Sequence, residues 1–130
     1  MVGFESFVAE DGLPIYLQII RHVKRGIAAG AVQAGDELPS RRVLSAQLGV
    51  NPNTVQKAYR LLEEEGIISS RSGAKSEIAL SPGAVERIRG QLLEQEAGLL
   101  VRALRQAGLD KAGALALFTR LWEETEEETP

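Results

Sequence analysis

Cysteine is absent from the 130-residue sequence, and histidine occurs only once. The absence of cysteine excludes a disulfide framework, a thiolate metal site and a cysteine nucleophile. A single histidine leaves little for a histidine-based metal site, and neither a Ser-His-Asp set nor a phosphate-binding loop can be assembled from the other residues. We therefore expect a protein that is not an enzyme and that needs neither a metal ion nor another cofactor.

Long apolar runs are also missing. No uninterrupted stretch approaches the roughly 18 apolar residues that a membrane-spanning helix requires. The first residues lack the basic segment followed by an apolar segment that marks a signal peptide. We therefore expect a cytoplasmic protein without a membrane partner. The hydrophobic content of 44% suits one small core with an appendage rather than two large domains.

Negative charge is concentrated in the second half of the chain. Residues 1–80 contain nine Lys or Arg and nine Asp or Glu, whereas residues 81–130 contain six and nine. The whole net charge of −3 therefore arises in the second half, where five glutamates lie between positions 123 and 128. Such a run is usually a solvated terminus. The negative total consequently does not exclude nucleic acid as a partner of the first half.

The middle of the sequence contains two short helical patterns separated by a tight turn. Ser40 is a favourable N-cap for a helix of about two turns that ends before Gly49. Asn51 is the next N-cap, and it opens a second helix over Pro52–Glu65. The positions expected to face the core are Val43, Leu44 and Leu48 in the first helix and Val55, Ala58, Tyr59 and Leu62 in the second. The leading end of the second helix is polar and has no acidic side chain, which is typical of a helix that enters a DNA groove.

The flanking segments predict a winged helix-turn-helix. An apolar stripe at helical spacing follows Pro14 and predicts a helix that ends at Gly30, before a turn at residues 35–37. After the helix pair, residues 67–71 and 77–80 have the pattern of two strands, joined by a turn at residues 72–75. Two helices with a tight turn, followed by a β-hairpin, define the winged form of the motif. We assign this DNA-binding domain to residues 1–80.

Residues 81–130 form a separate helical segment. A helical pattern spans Pro82–Ala107, and Asp110 is expected to cap a second helix. The apolar stripe of that second helix consists of Leu115, Phe118, Leu121 and Trp122. Two helices of this size cannot enclose a core alone, so a second copy of the chain is the expected partner, although the helices could instead fold back on residues 1–80. The predicted fold class is therefore α+β, mostly α, with an N-terminal winged helix-turn-helix and a two-helix C-terminal dimerisation segment.

The sequence resembles the GntR family of bacterial transcription regulators from Pro14 to about Leu80. The resemblance is carried by Pro-Ile-Tyr-x-Gln-Ile at residues 14–19, Gly-Asp-x-Leu-Pro-Ser-x-Arg at residues 35–42 and Val-Asn-Pro-Asn-Thr-Val-x-Lys-Ala-Tyr at residues 50–59. The last motif and the short helical tail are similar to the YtrA-like subfamily in particular. The resemblance implies a homodimer that binds a pseudo-palindromic double-stranded DNA operator and usually represses a nearby operon.

The resemblance also implies which residues contact DNA. Arg42 matches the family arginine that binds DNA from the first helix of the motif, and Arg41 precedes it. The candidates in the recognition helix, which enters the major groove in this family, are Asn51, Asn53, Thr54, Gln56, Lys57 and Arg60. The candidates in the wing, which the family presses into the minor groove, are Arg71, Ser72, Gly73 and Lys75. The wing of this chain lacks the second glycine and the aromatic residue that often follow.

The chemistry of these side chains separates their expected roles. Gln56 can make a bidentate contact to adenine and is therefore the leading candidate for reading a base. Arg42 has a fork of donors that fits a phosphate or a guanine edge. Lys57 and Arg60 are expected at phosphates. Asn51 has a competing task as the N-cap of its helix.

Two other functions remain open from the sequence. The near-neutral first half is compatible with a winged helix that binds another protein instead of DNA. The regulator could also bind an unknown small-molecule effector in its tail, where Phe118 and Trp122 could line a groove, although we favour helix packing for both. His22 is expected to be a packing or surface residue.

Overall fold

The computed structural model describes residues 1–70 and 75–128. In chain order the elements are α1 (Ile15–Ala28), β1 (Glu37–Leu38), α2 (Arg41–Leu48), α3 (Pro52–Glu64), β2 (Ile68–Ser70), β3 (Ser76–Ile78), α4 (Ala84–Gln106) and α5 (Lys111–Glu128). They fall into two compact units, Met1–Leu92 and Leu93–Pro130, with the boundary inside α4. A mostly helical chain with one small sheet confirms the predicted fold class.

The first unit is built around an apolar core. Its most deeply buried side chains include Ile19, Val23 and Ile27 of α1, Leu44 of α2, Val55, Tyr59 and Leu62 of α3 and Ile78 of β3. These positions confirm the apolar stripes that the sequence predicts for α1 and α3. Because α3 packs against both α1 and α2, the whole core holds it in place.

One position in α2 departs from the prediction. Leu44 is fully buried and Leu48 is partly buried, but Val43 is 54% exposed and Ser45 is buried instead. At roughly 100° per residue, Leu44 and Leu48 lie on nearly the same side of the helix, and Ser45 is closer to that side than Val43 is. The expectation that Val43 faces the core was therefore wrong. The buried Ser45 hydroxyl is satisfied by donating to the Arg42 carbonyl oxygen at 3.0 Å.

The sheet has the order β1-β3-β2 with antiparallel neighbours. β2 and β3 confirm the predicted hairpin, although both strands are shorter than expected. β1 was not predicted, since residues 35–37 had the pattern of a turn. Glu37 and Leu38 of β1 lie opposite Glu77 and Ser76 of β3. Just before β1, the Gly35 N–H donates to the Ile78 carbonyl at 2.8 Å, and the Ile78 N–H donates to the Asp36 carbonyl at 2.8 Å.

The residues before α1 also contribute to the core. Val2 and Phe4 are buried, and the Val2 N–H donates to the Glu37 carbonyl oxygen at 2.7 Å. The His22 imidazole stacks on the Phe4 ring at a centroid separation of 4.6 Å, and its Nε2 lies 2.8 Å from the Gly3 carbonyl oxygen. His22 is thus a packing residue, as the sequence predicts.

The helix that connects the two units begins at Ala84 rather than at Pro82. Gly83 has a φ of +79°, in the left-handed region, so the helix cannot include it. The buried side chains of α4 are Ala84, Ile88 and Leu92. The Arg89 guanidinium donates from Nε and Nη2 to the Ala28 carbonyl oxygen beside the end of α1, at 3.0 and 2.6 Å. The start of α4 is therefore part of the first unit.

The second unit contains the rest of α4 and α5, and its apolar side chains are largely exposed. Asp110 caps α5 as predicted, because its Oδ1 accepts the Gly113 N–H at 2.9 Å. The large apolar side chains with substantial exposure in this unit are Leu93, Leu99, Leu100, Val101, Leu115, Leu121 and Trp122. Neither of these helices, nor any other in the described part of the chain, is long and apolar enough to cross a membrane.

Candidate nucleic-acid interface

The turn between α2 and α3 fixes the way in which α3 is presented. Ser40 caps α2, since its Oγ accepts the Val43 N–H at 3.2 Å. Gly49 ends α2 with a φ of +68°, a conformation that residues with a Cβ atom rarely adopt. The Val50 N–H then donates to the Ser45 carbonyl at 3.0 Å, which closes the turn. The predicted cap and the predicted glycine turn are both confirmed.

Asn51 is committed to capping α3. Its Oδ1 accepts the Asn53 N–H at 2.8 Å, and its carbonyl oxygen accepts the Thr54 N–H at 2.9 Å. Pro52 occupies the first helical position, where the missing N–H removes no helical hydrogen bond. The competing role that the sequence indicated for Asn51 is confirmed. Its side-chain amide NH2 is the part left to meet a ligand.

The outer face of α3 carries most of the predicted contact residues. Four of them are exposed, namely Asn53, Gln56, Lys57 and Arg60, and Thr54 is partly buried. Gln56, Lys57 and Arg60 follow Asn53 by three, four and seven positions. This spacing places the four residues on one side of the helix, opposite the buried stripe. Such a row of amide and cationic groups can hydrogen-bond to base edges and phosphates.

Arg41 and Tyr59 form a cation–π pair at the start of α2. The Arg41 guanidinium carbon lies 5.2 Å from the Tyr59 ring centroid, and its Nε is buried without an acceptor among the described residues. The Tyr59 hydroxyl donates to the Pro39 carbonyl at 2.7 Å. Burial raises the pKa of the Tyr59 hydroxyl, and the positive charge of Arg41 offsets this in part. The Tyr59 hydroxyl therefore stays protonated near neutral pH and can donate a hydrogen bond. This hydrogen bond fixes Pro39, the residue before the Ser40 cap.

Arg42 differs from Arg41 in its surroundings. The residue is exposed, and its guanidinium makes no ion pair, hydrogen bond or ring contact within the described residues. Of two adjacent arginines, one is therefore packed on an aromatic ring, and the other is available to an external anion. The sequence favoured Arg42 over Arg41 as a DNA contact, and this preference stays a prediction.

Lys57 is also held by an aromatic ring. Its Nζ lies 4.1 Å from the ring centroid of Tyr16, which stands in the first turn of α1 and packs against the core. Sequence reasoning assigned no role to Tyr16, although it belongs to the first family motif. The available signal was an aromatic residue beside the buried stripe of α1. The identity of its cationic neighbour could not be predicted, because the neighbour comes from another helix.

The predicted wing is described only at its base. Three of the predicted wing contacts lie outside the described residues: Arg71, Ser72 and Gly73. Lys75 is described, and it is exposed immediately before β3. On the other strand, the Ser70 hydroxyl donates to Glu63 Oε1 at 2.9 Å, which ties the hairpin to the end of α3.

Charge is graded along α3. The first turn contains no acidic residue, Lys57 and Arg60 follow, and glutamates occupy positions 63–65. Glu65 pairs with Lys24 of α1 at 3.1 Å, a half-exposed contact that adds little stability. The positive end of the helix dipole and the cationic side chains therefore coincide in the N-terminal half of α3. This is the half that favours a phosphate group.

Groups suited to a metal ion are not clustered in the described part of the chain. There, no set of three or more His, Cys, Asp or Glu residues is arranged to hold one. His22 is engaged with Phe4 and Gly3. The exposed row of Asn53, Gln56, Lys57 and Arg60 on α3 consists of hydrogen-bonding and cationic groups, which suit a polyanionic ligand.

The same part of the chain matches a known protein family. The family described as "Bacterial regulatory proteins, gntR family" matches residues 15–78. That range runs from the start of α1 to the end of β3. It therefore contains every element that supports the exposed face of α3.

Individual relatives cover more of the chain. The uncharacterized HTH-type transcriptional regulator YhcF of Bacillus subtilis is 34% identical over 102 residues, which span 78% of this chain and 84% of YhcF. The HTH-type transcriptional repressor YtrA of the same organism is 38% identical over 97 residues, which span 75% of this chain and 70% of YtrA. A solved structure of a GntR family transcriptional regulator from Listeria monocytogenes has 30% identity and a TM-score of 0.73, over 86% of this chain and 98% of that one.

Proposed function

The chain belongs to the GntR family of bacterial regulatory proteins, and we propose that it is a sequence-specific DNA-binding repressor that acts as a cytoplasmic homodimer. Family membership makes it a transcriptional regulator and not an enzyme. The proposal adds that α3 enters the major groove of a pseudo-palindromic operator. The observation that carries it is the exposed row of Asn53, Gln56, Lys57 and Arg60 on one side of α3.

The side chains of this row and of α2 divide into two roles. The uncharged amides of Gln56 and Asn53 present donors and acceptors that can match base edges, Gln56 with the bidentate geometry that suits adenine. Arg42, Lys57 and Arg60 supply positive charge for phosphates, which sets the position of the protein on the duplex. Because binding would release counterions from those phosphates, affinity should fall steeply as salt is added.

The wing supplies the second set of contacts in the proposal. Arg71, Ser72, Gly73 and Lys75 would meet the minor groove, where positive side chains are attracted to the negative potential. The hydrogen bond between Ser70 and Glu63 supports this arrangement, because it links the base of the hairpin to the recognition helix. The wing would then be presented to DNA together with α3.

The second unit supports the homodimer. Leu99, Leu115 and Trp122 are 49%, 54% and 71% exposed, and soluble monomers rarely leave large apolar patches uncovered. A second copy presents the same surface and can cover it with twofold symmetry. We therefore assign residues 81–130 to dimerisation, and we expect half-sites separated by about one helical turn of DNA or a multiple of it. The name of the relative YtrA supports repression as the outcome.

The proposal is tested with the full chain and a random pool of duplex DNA. We expect the bound fraction to be enriched in one pseudo-palindromic sequence, with two chains per duplex in sedimentation analysis. In fluorescence anisotropy, the logarithm of the binding constant should fall linearly with the logarithm of the salt concentration. A pool that stays unenriched, with a second protein co-purifying, would instead support a winged helix that binds protein. Repression is tested by placing the selected sequence before a reporter gene.

Gln56→Ala is expected to weaken binding to the selected operator by about 1–3 kcal/mol and to relax the preference at one base position. The change removes a pair of hydrogen bonds to a base edge and leaves the phosphate contacts in place. Anisotropy on the operator and on single-base variants of it measures both effects. Gln91→Ala, which alters an exposed glutamine of α4, is the matched control and should change neither. An unchanged base preference in Gln56→Ala would refute the assignment of Gln56 as a base reader.

A further inference from the structure

Tyr16 and Lys57 join the first turn of α1 to the exposed face of α3. The Lys57 Nζ lies 4.1 Å from the centroid of the Tyr16 ring, within the distance of a cation–π interaction. The contact connects residues that are far apart in sequence and that belong to two helices packed on each other. Neither the family match nor the proposed function assigns a role to Tyr16.

The position of the Tyr16 ring is fixed by the residues around it in the first unit. It packs against the apolar core and is only partly exposed. Two residues later, the buried Gln18 anchors the segment before α1. Its Oε1 accepts the Glu10 N–H at 2.8 Å, and its Nε2 donates to the carbonyl oxygens of Glu10 and Leu13 at 2.9 and 2.8 Å. The Tyr16 ring is therefore fixed by the fold. Without this ring, the Lys57 side chain would be free to rotate about its four side-chain bonds.

Among the described residues, no carboxylate pairs with the Lys57 ammonium. Within residues 1–70 and 75–128, the Lys57 ammonium makes a cation–π contact with the Tyr16 ring and no ion pair or hydrogen bond. Within the same residues, the Tyr16 hydroxyl makes no hydrogen bond. An ammonium has three donors, and a ring on one side leaves donors free for an anion. A cation–π contact orients the ammonium without removing its charge.

We propose that Tyr16 is a positioning residue, which holds the Lys57 ammonium over its ring and so prepares Lys57 to bind a DNA phosphate. The proposal rests on the proposed function. A free lysine side chain would lose much of its conformational freedom when it binds a phosphate, and the ring imposes part of that order before DNA arrives. Arg60, farther along the same face, has no ring contact in the described part of the chain and provides the comparison.

The test is a double-mutant cycle with the operator that the wild-type chain selects from the random pool. Tyr16→Leu should weaken binding about two- to fivefold, the lower part of the cost of ordering one long side chain on binding. Tyr16→Phe should bind like the wild type, because the ring face remains. In a Lys57→Met background, Tyr16→Leu should have no further effect, whereas in an Arg60→Met background its effect should persist. Lys57→Met should also reduce the slope of log K against log salt by about 1.

Several results would overturn the proposal. Tyr16→Leu could weaken binding equally with and without Lys57, which would mean that Tyr16 acts on its own or through the fold. Tyr16→Phe could weaken binding as much as Tyr16→Leu, which would assign the effect to the hydroxyl. If the slope of log K against log salt is unchanged in Lys57→Met, Lys57 does not contact a phosphate. Thermal unfolding identifies a variant that does not fold, and Tyr16→Met then replaces Tyr16→Leu as the ringless variant.

A measurement without DNA separates this proposal from the proposed function. In NMR spectra of the free protein, the Lys57 Hε protons should show an upfield ring-current shift that Tyr16→Phe keeps and Tyr16→Leu removes. If the shift is present and the wild-type chain selects no duplex, the proposed function fails, and the positioning role fails with it although the contact exists. If the chain selects an operator and the shift is absent, the positioning role alone is overturned.

Discussion

Arg42→Ala is expected to weaken binding to the selected operator by about 1.5–3 kcal/mol, the cost of losing a hydrogen bond from a charged group. The Arg42 guanidinium is exposed and has no partner within the described residues, so its removal should disturb the fold little. Anisotropy titration measures the affinity. Arg42→Lys then separates two kinds of contact, because a lysine can replace a point contact to phosphate but not a two-pronged contact to guanine.

Arg41→Ala is the control for this prediction. Arg41 packs on Tyr59, so its loss should reduce the free energy of unfolding by about 0.5–1 kcal/mol. We expect a smaller effect on operator affinity than for Arg42→Ala. Equal losses of affinity for the two variants would contradict the division of roles between the two arginines. If Arg42→Ala leaves the operator affinity unchanged, the assignment of Arg42 to the DNA-binding site is wrong.

Leu44→Ala is expected to destabilise the first unit by about 2–5 kcal/mol, the range for truncating a buried leucine. Leu44 is fully buried, and it is the most deeply buried apolar side chain of α2. Its truncation leaves a cavity in the core of the first unit. Urea unfolding followed by circular dichroism measures the change. The slope of the transition should be compared with that of the wild type, since the analysis requires a two-state transition.

Val43→Ala is the matched control for Leu44→Ala. Val43 is the adjacent residue in the same helix, but it is 54% exposed, so its truncation should change the free energy of unfolding by no more than about 0.5 kcal/mol. Losses of similar size in the two variants would show that α2 is turned differently about its axis. The pair therefore tests the orientation of the helix that carries Arg42.

The same pair shows where prediction from the sequence reached its limit. α1 and α3 are long enough for their apolar spacing to fix which face is buried, and both stripes were predicted correctly. α2 has about two turns, and its three large apolar residues are compatible with more than one buried face. The buried face of α2 includes Ser45, which can be buried because its hydroxyl donates a hydrogen bond within the helix.

Caps were predictable, whereas contacts between distant residues were not. Ser40, Asn51 and Asp110 cap their helices as expected, because a cap depends on the residues that immediately follow. β1 was missed because a strand of two residues is too short to show alternation, and because its pairing depends on Ser76 and Glu77, which are distant in sequence. The contact between Tyr16 and Lys57 was missed for the same reason, since it depends on how α1 packs on α3.

The hydrogen bond from Val2 to Glu37 has a consequence for the behaviour of the protein in concentrated solution. β1 is an edge strand, and an unpaired edge is a template on which another chain can add a strand and start an aggregate. Here the first residues of the same chain lie along that edge, with Val2 and Phe4 inserted into the core. We therefore expect residues 1–4 to hinder another chain from adding a strand at the β1 edge of the sheet.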